Sequence, residues 1–366
     1  MSQPPADLFS PEALAQLMAE RGYRPIRELK RLQGLSDIEF LDEKFLCQDQ
    51  ADRINEVPVD QAHIVTGFGP TNAPTGGTLS VIFKAKSLRR ETGMETTLII
   101  SNLGAWCSRR TPPQTLGYYT ACFMEFIQAL GLETAGRNLR THESLDVLRI
   151  AGLLTRFLSE QDFEHNQEAT ATLYGNLGLL GNRFGIWTDT AYTVADILEP
   201  LICRGKRRVL VLAGIEEHYF ADLARLVIPK MNADYPGMFL PKDSHVGGLY
   251  ARLIGGLHPY PKMSKSIPES AINLNDSEAV LRAKILDAHS VNDPVLLQMM
   301  TLVSDWSVPE LQQAREAFRD RTEQPQPWAQ ARQKYFEFFL GLKRSWDQLV
   351  IRPQERITSF FPSTSP

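Results

Sequence analysis

The sequence predicts an α/β protein on a doubly wound parallel sheet, with helices added at both ends. Three observations carry this. The runs His63–Thr66, Thr96–Ser101 and Arg207–Ala213 are β-branched or continuously apolar and read as strands, each leading into a helical pattern. The last of them, RRVLVLA, is apolar almost throughout, as a strand buried on both faces requires. The first runs into a glycine-rich bend, Gly67 to Thr78, that opens a helix. Strand–helix alternation implies right-handed crossovers and a sheet covered on both faces. Ligands in such sheets sit beyond the carboxyl ends of the strands.

In chain order, residues 1–60 read as an N-terminal helical appendage. Ser10-Pro11-Glu12 offers a cap and a first-turn proline, and Leu14, Leu17 and Met18 recur at helical spacing. Residues 61–260 hold the sheet, a Rossmann-type domain. After the Gly67–Thr78 bend, Leu79, Ile82, Phe83 and Lys86 continue a helix that Gly93 stops. Further helices are expected over 117–131, 143–160, Tyr192–Leu201 and from after His218 to Ile228, while 165–190 resists assignment. Residues 261–276 form a lysine-bearing loop, and 277–366 read as a helical domain. Its stripes Leu296/Met299/Met300/Val303 and Trp328/Tyr335/Phe338/Phe339/Leu342 are read as core.

At 366 residues the chain is long enough for about two domains. A net charge of −4 advertises no nucleic-acid field. Cys47, Cys107, Cys122 and Cys203 show no CxxC pairing, which argues against a zinc site or a disulfide framework and for a reducing, cytoplasmic setting; no metal-ligating residues are expected. The N-terminus lacks a signal-peptide pattern, and no apolar run reaches the ~20 residues that span a bilayer. No membrane partner is expected.

The segment Pro261-Lys262-Met263-Ser264-Lys265-Ser266-Ile267-Pro268 is too short and polar to pack a core. Two ammonium groups among hydroxyls suit a polyanion such as a triphosphate. A bare KxxK is usually a solvated loop; the full KMSKS string is far more specific. With it, the sequence resembles class I aminoacyl-tRNA synthetases of the tyrosyl/tryptophanyl subgroup, in their archaeal and eukaryotic branch. The resemblance covers roughly residues 60–290. Pro268, Ile272, Leu274, Asp276 and Lys284-Ile285 make the loop region tryptophanyl-like. Gly214-Ile-Glu216-Glu217 followed by Leu223-Ala-Arg225 resembles the family's GxEQ…LAR segment, and Gly67-Phe68-Gly69-Pro70-Thr71 the start of its first signature.

The resemblance implies ATP-dependent activation of an amino acid as an aminoacyl adenylate, with Mg²⁺ on the phosphates. Lys262 and Lys265 would stabilise the leaving pyrophosphate beside Met263, Ser264 and Ser266. Phe68, Gly69 and Thr71 would line the nucleotide. Gly214 and Glu216 would line the ribose, and Tyr192, Asp196 and Glu217 would hold the α-ammonium. A homodimer is implied, and tRNA is a possible acceptor.

Three departures stand out. Where the family has His-x-Gly-His, this chain has Thr75-Gly76-Gly77-Thr78. Threonine still donates a hydrogen bond but is shorter and never charged, and the two glycines could bring backbone to the phosphates. The subgroup's Tyr-x-x-x-Gln-x-x-Asp helix reads Tyr192-x-x-x-Asp196-x-x-Glu199, and Glu217 replaces a glutamine. These carboxylates form either a solvated acidic face or a pocket for an added positive charge, with Glu199 facing the substrate side chain. Val65 falls where tyrosyl enzymes carry a phenol-reading tyrosine, and Asn102-x-Gly104-Ala105 replaces Asp-x-His-Ala, which argues against tyrosine as substrate.

From Ile267 onward eleven Lys/Arg face thirteen Asp/Glu, so no basic face invites tRNA. The sequence therefore favours a specialised paralogue that passes the acyl group to another acceptor. A genuine tryptophanyl- or tyrosyl-type ligase and a catalytically inactive binding protein are the alternatives.

Overall fold

The structure is a computed structural model that describes residues 11–132, 138–165, 182–252, 254–260, 263, 268–287, 290–350 and 361. Lys262, Ser264, Lys265 and Ser266 of the lysine loop lie outside the described residues.

Seven strands form one sheet: β1 (Arg24–Pro25), β2 (Phe45–Asp49), β3 (Ala62–Phe68), β4 (Glu95–Ile100), β5 (Leu139–Thr141), β6 (Arg208–Gly214) and β7 (His245–Ala251). Their spatial order is β1-β2-β7-β6-β3-β4-β5. From β7 to β5 all neighbours are parallel; β2 joins β7, and β1 joins β2, in antiparallel fashion. The chain winds outward from β3 through β4 to β5, then returns to place β6 on the other side of β3. The winding therefore reverses between β3 and β6, where the first connections part to opposite faces and leave a crevice.

Thirteen helices occur among the described residues. They are α1 (Pro11–Arg21), α2 (Ile38–Lys44), α3 (Gly76–Thr92), α4 (Asn102–Arg109), α5 (Pro113–Ala129), α6 (Leu145–Leu154) and α7 (Glu160–His165). They continue with α8 (Arg183–Cys203), α9 (His218–Asp234), α10 (Glu278–Ile285), α11 (Asp293–Leu302), α12 (Val308–Arg319) and α13 (Pro325–Val350). The expected helices are thus present, several longer than their sequence patterns. The first sixty residues carry helices and, in addition, the two antiparallel edge strands. No described helix is long and apolar enough to cross a membrane.

Both faces of the sheet are covered. On one, Leu79, Ile82 and Phe83 of α3 and Phe123 and Phe126 of α5 pack on Leu98 and Ile100 of β4. The same core runs on into the C-terminal helices through Met299, Tyr335, Phe339 and Trp346. Phe126 meets the Trp346 ring edge-on at 5.4 Å. On the other face, Val147 of α6, Leu198 of α8 and Val227 of α9 pack on Val65 and Val211.

The glycine bend is strapped to the segment that follows the lysine loop. Gly76 N–H donates to Ile272 O at 3.2 Å, and Leu274 N–H to Pro74 O at 3.1 Å. Thr75 and Asn273 form an isolated bridge between these stretches. Two parts of the chain some two hundred residues apart are therefore fixed at one edge of the crevice.

Candidate active site

Among the described residues, the crevice between β3 and β6 holds two hollows that share a wall. Strand ends and backbone make that wall: Thr66, Gly67, Phe68 and Gly69 at the end of β3, and Leu212 and Ala213 in β6. Arg109, in the last turn of α4, and Glu217 also border both. Thr66 is locked across the two strands, its Oγ1 donating to Leu212 O at 2.7 Å.

The inner hollow, about 90 Å³, is lined by Val65, Ile99, Ala105, Ile197, Val211, Tyr219 and Phe220, with Asp189, Thr193 and Asp196 entering from α8. Asp189, Thr193, Asp196 and Ile197 are spaced i, i+4, i+7, i+8, which is one helical face. The expected triplet Tyr192, Asp196, Glu199 has the right period, but the helix presents a different face. Of that triplet only Asp196 borders the hollow. Tyr192 packs its ring 5.4 Å from that of His142.

Glu199 is a correction, because it turns away to Arg204, whose Nε lies 2.9 Å from its Oε1. The positive charge that these carboxylates demand comes from the chain itself. Arg140, on β5, forms an ion pair with Asp196 and lies 3.8 Å from Glu199. His142 Nε2 lies 2.8 Å from Asp196 Oδ2, and its Nδ1 accepts the Gly104 N–H at 3.1 Å. That acceptor role places the neutral ring's proton on Nε2. Burial opposes ionisation of Asp196, yet Arg140 and then His142 hold its carboxyl below the usual range.

Gly104 and Asn102 line neither hollow. Asn102 is fully buried and its Nδ2 donates to Glu143 Oε1 at 2.5 Å. A Cβ on Gly104 would collide with the Asp189 carboxylate and come within 2.9 Å of His142 Cε1. The glycine therefore makes room for this network rather than for a ligand.

The outer hollow, about 280 Å³, is lined by Thr75, Gly77, Thr78, Ser80, Val81 and Lys84 of the bend and α3, and by Gly214, Glu216, Ala251, Arg252, Ile254 and Met263. Phe68 and Gly69 border it as expected, and Thr71 does not line it. The two glycines of the altered signature differ. Gly77 is open, its nearest neighbour for an added Cβ being Thr75 Oγ1 at 3.8 Å. Gly76 lies under two methionine sulfurs, 2.5 Å from Met299 Sδ and 2.9 Å from Met263 Sδ for such an atom. Its N–H is already used on Ile272. Gly76 is thus a packing glycine, which corrects its expected place on the nucleotide. The same contact brings Met263, the described residue of the KMSKS string, against the bend.

Glu216 and Glu217 stand side by side in a short turn after β6, with no cation within 4 Å among the described residues. Glu216 Oε2 is buried without a hydrogen-bond partner there. Burial, and then Glu216, push the Glu217 carboxyl up to about 7, against the pull of Arg109. Gly214 N–H reaches Glu217 Oε2 at 3.4 Å.

Arg109, Asp189, Thr193 and Lys84 were not singled out in the sequence. Asp189 and Thr193 had a signal: they continue the helical spacing of Asp196 in the other direction. Lys84 had one only through the stripe Gly77, Ser80, Val81, Lys84 at i, i+3, i+4, i+7.

Comparisons with known proteins agree with this fold. The family model for class I tRNA synthetases (W and Y) matches residues 208–357. No curated protein sequence matches the chain. Among solved structures, the tryptophanyl-tRNA synthetase of Aeropyrum pernix K1 superposes with a TM-score of 0.71 at 17% identity, covering 93% of this chain and 95% of that one. A tryptophanyl-tRNA synthetase homolog from Entamoeba histolytica gives 0.68 at 13%, with 92% of each chain covered. The tyrosyl-tRNA synthetase of Archaeoglobus fulgidus, complexed with L-tyrosine, gives 0.61 at 14%, covering 91% of this chain and 99% of that one. At these identities the structural likeness speaks for the fold. Together with the family match over residues 208–357, it makes the chain similar to class I tRNA synthetases of the tryptophanyl/tyrosyl type.

Proposed function

We propose that this chain activates an amino acid with ATP, forming an aminoacyl adenylate. The observation that carries the reading is the shared wall: a small, mostly apolar hollow opens beside a larger one that begins at a helix start. The amino acid takes the inner hollow and the nucleotide the outer. A carboxylate oxygen bonds to the α-phosphorus at the common border, the bond from that phosphorus to the pyrophosphate oxygen breaks, and pyrophosphate leaves. Arg109 sits on that border and supplies a permanent positive charge where negative charge meets negative charge. Thr75 and Thr78 donate hydroxyls and Gly77 exposes backbone at the phosphate end. Lys262 and Lys265 take the leaving group, a role that rests on the KMSKS resemblance. Mg²⁺, held mainly by phosphate oxygens, would neutralise part of their charge; the unpartnered Glu216 Oε2 fits an outer contact to it. Positioning and electrostatics carry such chemistry, so the absent histidines slow rather than forbid it.

The substrate reading also changes. With Asp196 and Glu199 neutralised internally, the inner hollow offers apolar walls to the side chain, and Glu217, on the border with the outer hollow, faces the α-ammonium. Pyrophosphate exchange over all twenty amino acids tests this. Exchange is expected with an apolar or aromatic one; best exchange with lysine or arginine would overturn the pocket assignment, and none with any would overturn adenylation.

The acyl acceptor is proposed to be other than tRNA, since the residues after Ile267 carry no basic excess. Charging of bulk tRNA at rates comparable to exchange would reverse this. A homodimer is proposed on the resemblance and is checked by light scattering. The second reading, an inert binding protein, draws on Thr75 and Thr78 in place of the histidines; ATP binding without exchange would select it.

A further inference from the structure

One side chain of the outer hollow does not fit a resting protein. Lys84 is 4% exposed, yet among the described residues it makes no hydrogen bond and no ion pair within 4 Å. Buried lysines ordinarily find a partner, because an ammonium taken out of water without one is costly. The other buried lysine of this region, Lys44, follows the rule and donates to Thr301 O at 3.0 Å. Lys84 instead borders an open hollow together with Thr75, Gly77, Thr78 and Ser80.

Its position on α3 gives it a direction. Side chains of a helix lean toward the helix start. The four-carbon stem of Lys84 therefore leans along the hollow toward Gly77 and Thr78, two turns earlier on the same face. At that end the helix presents unpaired N–H groups and the positive end of its dipole, which favour an anion. Ser80 is not free to help, since its Oγ donates to Gly77 O at 2.8 Å. Burial first, and then Lys44, pull the Lys84 amine down to about 7, against the attraction of Glu216 and Glu217, which lie beyond ion-pair range. The group thus borders the hollow with its donors unused among the described residues.

We propose that Lys84 is an additional phosphate-binding residue, which donates to the nucleotide's phosphate chain and restores a cation that Thr75 and Thr78 do not supply. It contacts substrate directly, and no family signature marks it. The proposal rests on the outer hollow being the nucleotide site, as argued above.

The test compares ATP with adenosine on the full chain by calorimetry, for wild type and Lys84→Met. Methionine keeps the length and removes the charge. ATP affinity is expected to fall by about 10- to 100-fold, the size of a lost hydrogen bond to a charged group, while adenosine affinity stays within about twofold. Equal loss for both ligands would mean that Lys84 reads the nucleoside and would overturn the proposal. So would unchanged ATP affinity, or a wild-type protein that binds no ATP. The unliganded melting temperature of the variant should not drop, because an unpartnered buried ammonium contributes no stability; a marked drop would instead assign Lys84 a structural role. Adenylation is judged separately, by exchange: ATP bound through Lys84 with no exchange would sink the proposed reaction and leave this contact standing.

Discussion

Two acidic pairs stand about twenty residues apart in the chain and meet opposite fates. Asp196 and Glu199, on α8, are buried and each faces a guanidinium, from Arg140 and Arg204. Glu216 and Glu217, after β6, face a hollow and, among the described residues, have no cation within 4 Å. Both pairs look alike in the sequence, as carboxylates near a presumed pocket. The first is structural, a salt-bridged floor under the site. The second keeps its negative charge, or its proton, available to whatever enters. What separates them is the position of Arg140, delivered by a three-residue strand.

The largest expected difference is in stability. Asp196→Ala strands Arg140 and His142 in the interior, and removing one partner of a buried ion pair typically costs about 3–5 kcal/mol. Glu217→Gln removes a carboxyl that burial already disfavours, so it should leave stability at pH 7 unchanged or slightly raised. Urea denaturation of the two variants decides. Similar losses would erase the distinction.

A second test uses pH. The folded carboxyl of Glu217 titrates near 7, above its unfolded value, so its contribution is fully present below about pH 4.5 and is lost as pH rises through 7. The full span is roughly 3 kcal/mol at most. Asp196 runs the other way: its folded carboxyl is lowered, so its contribution holds above the unfolded value and is lost as pH falls. Wild type minus Glu217→Gln, followed by denaturation between pH 5 and 8, isolates the first slope. A flat difference would mean that Glu217 is ionised throughout and paired after all.

Why the sequence misjudged the first pair is instructive. β3, β4 and β6 were legible because their runs are apolar or β-branched and buried on both faces, and the glycine bend was legible from its spacing. β5 spans only three residues, too few for a period. β7 reads HVGGLYA, and its glycines look like a turn. Gly247 is needed because a Cβ there would sit 2.8 Å from Gln50 O, so the chain after β2 packs directly on the strand. Helix α8 was legible as a helix, but its phase was not. It carries acids on more than one face, and only packing against α4 and α6 decides that Asp189 turns inward and Glu199 does not. The partner of Asp196 was invisible for the same reason, since Arg140 lies on the strand that went unseen.

The smallest expected effect probes the glycine beside each group of carboxylates. A Cβ on Gly104 presses on Asp189 and on His142, which is held from both sides by Gly104 N–H and Asp196. The His142 ring cannot shift without disturbing its contact with Asp196, so Gly104→Ala should cost about 1–3 kcal/mol, the usual range for overpacking. A Cβ on Gly214 also meets a carboxylate, that of Glu216. Its backbone is extended, at φ −65° and ψ 153°, which alanine adopts without strain. Glu216 is the free end of a flexible side chain at an open hollow and can swing aside. Gly214→Ala should therefore stay within about 0.5 kcal/mol of wild type in denaturation. A cost there equal to that of Gly104→Ala would show Glu216 to be as firmly held as the His142 ring. The second acidic pair would then be part of the scaffold and not of the site.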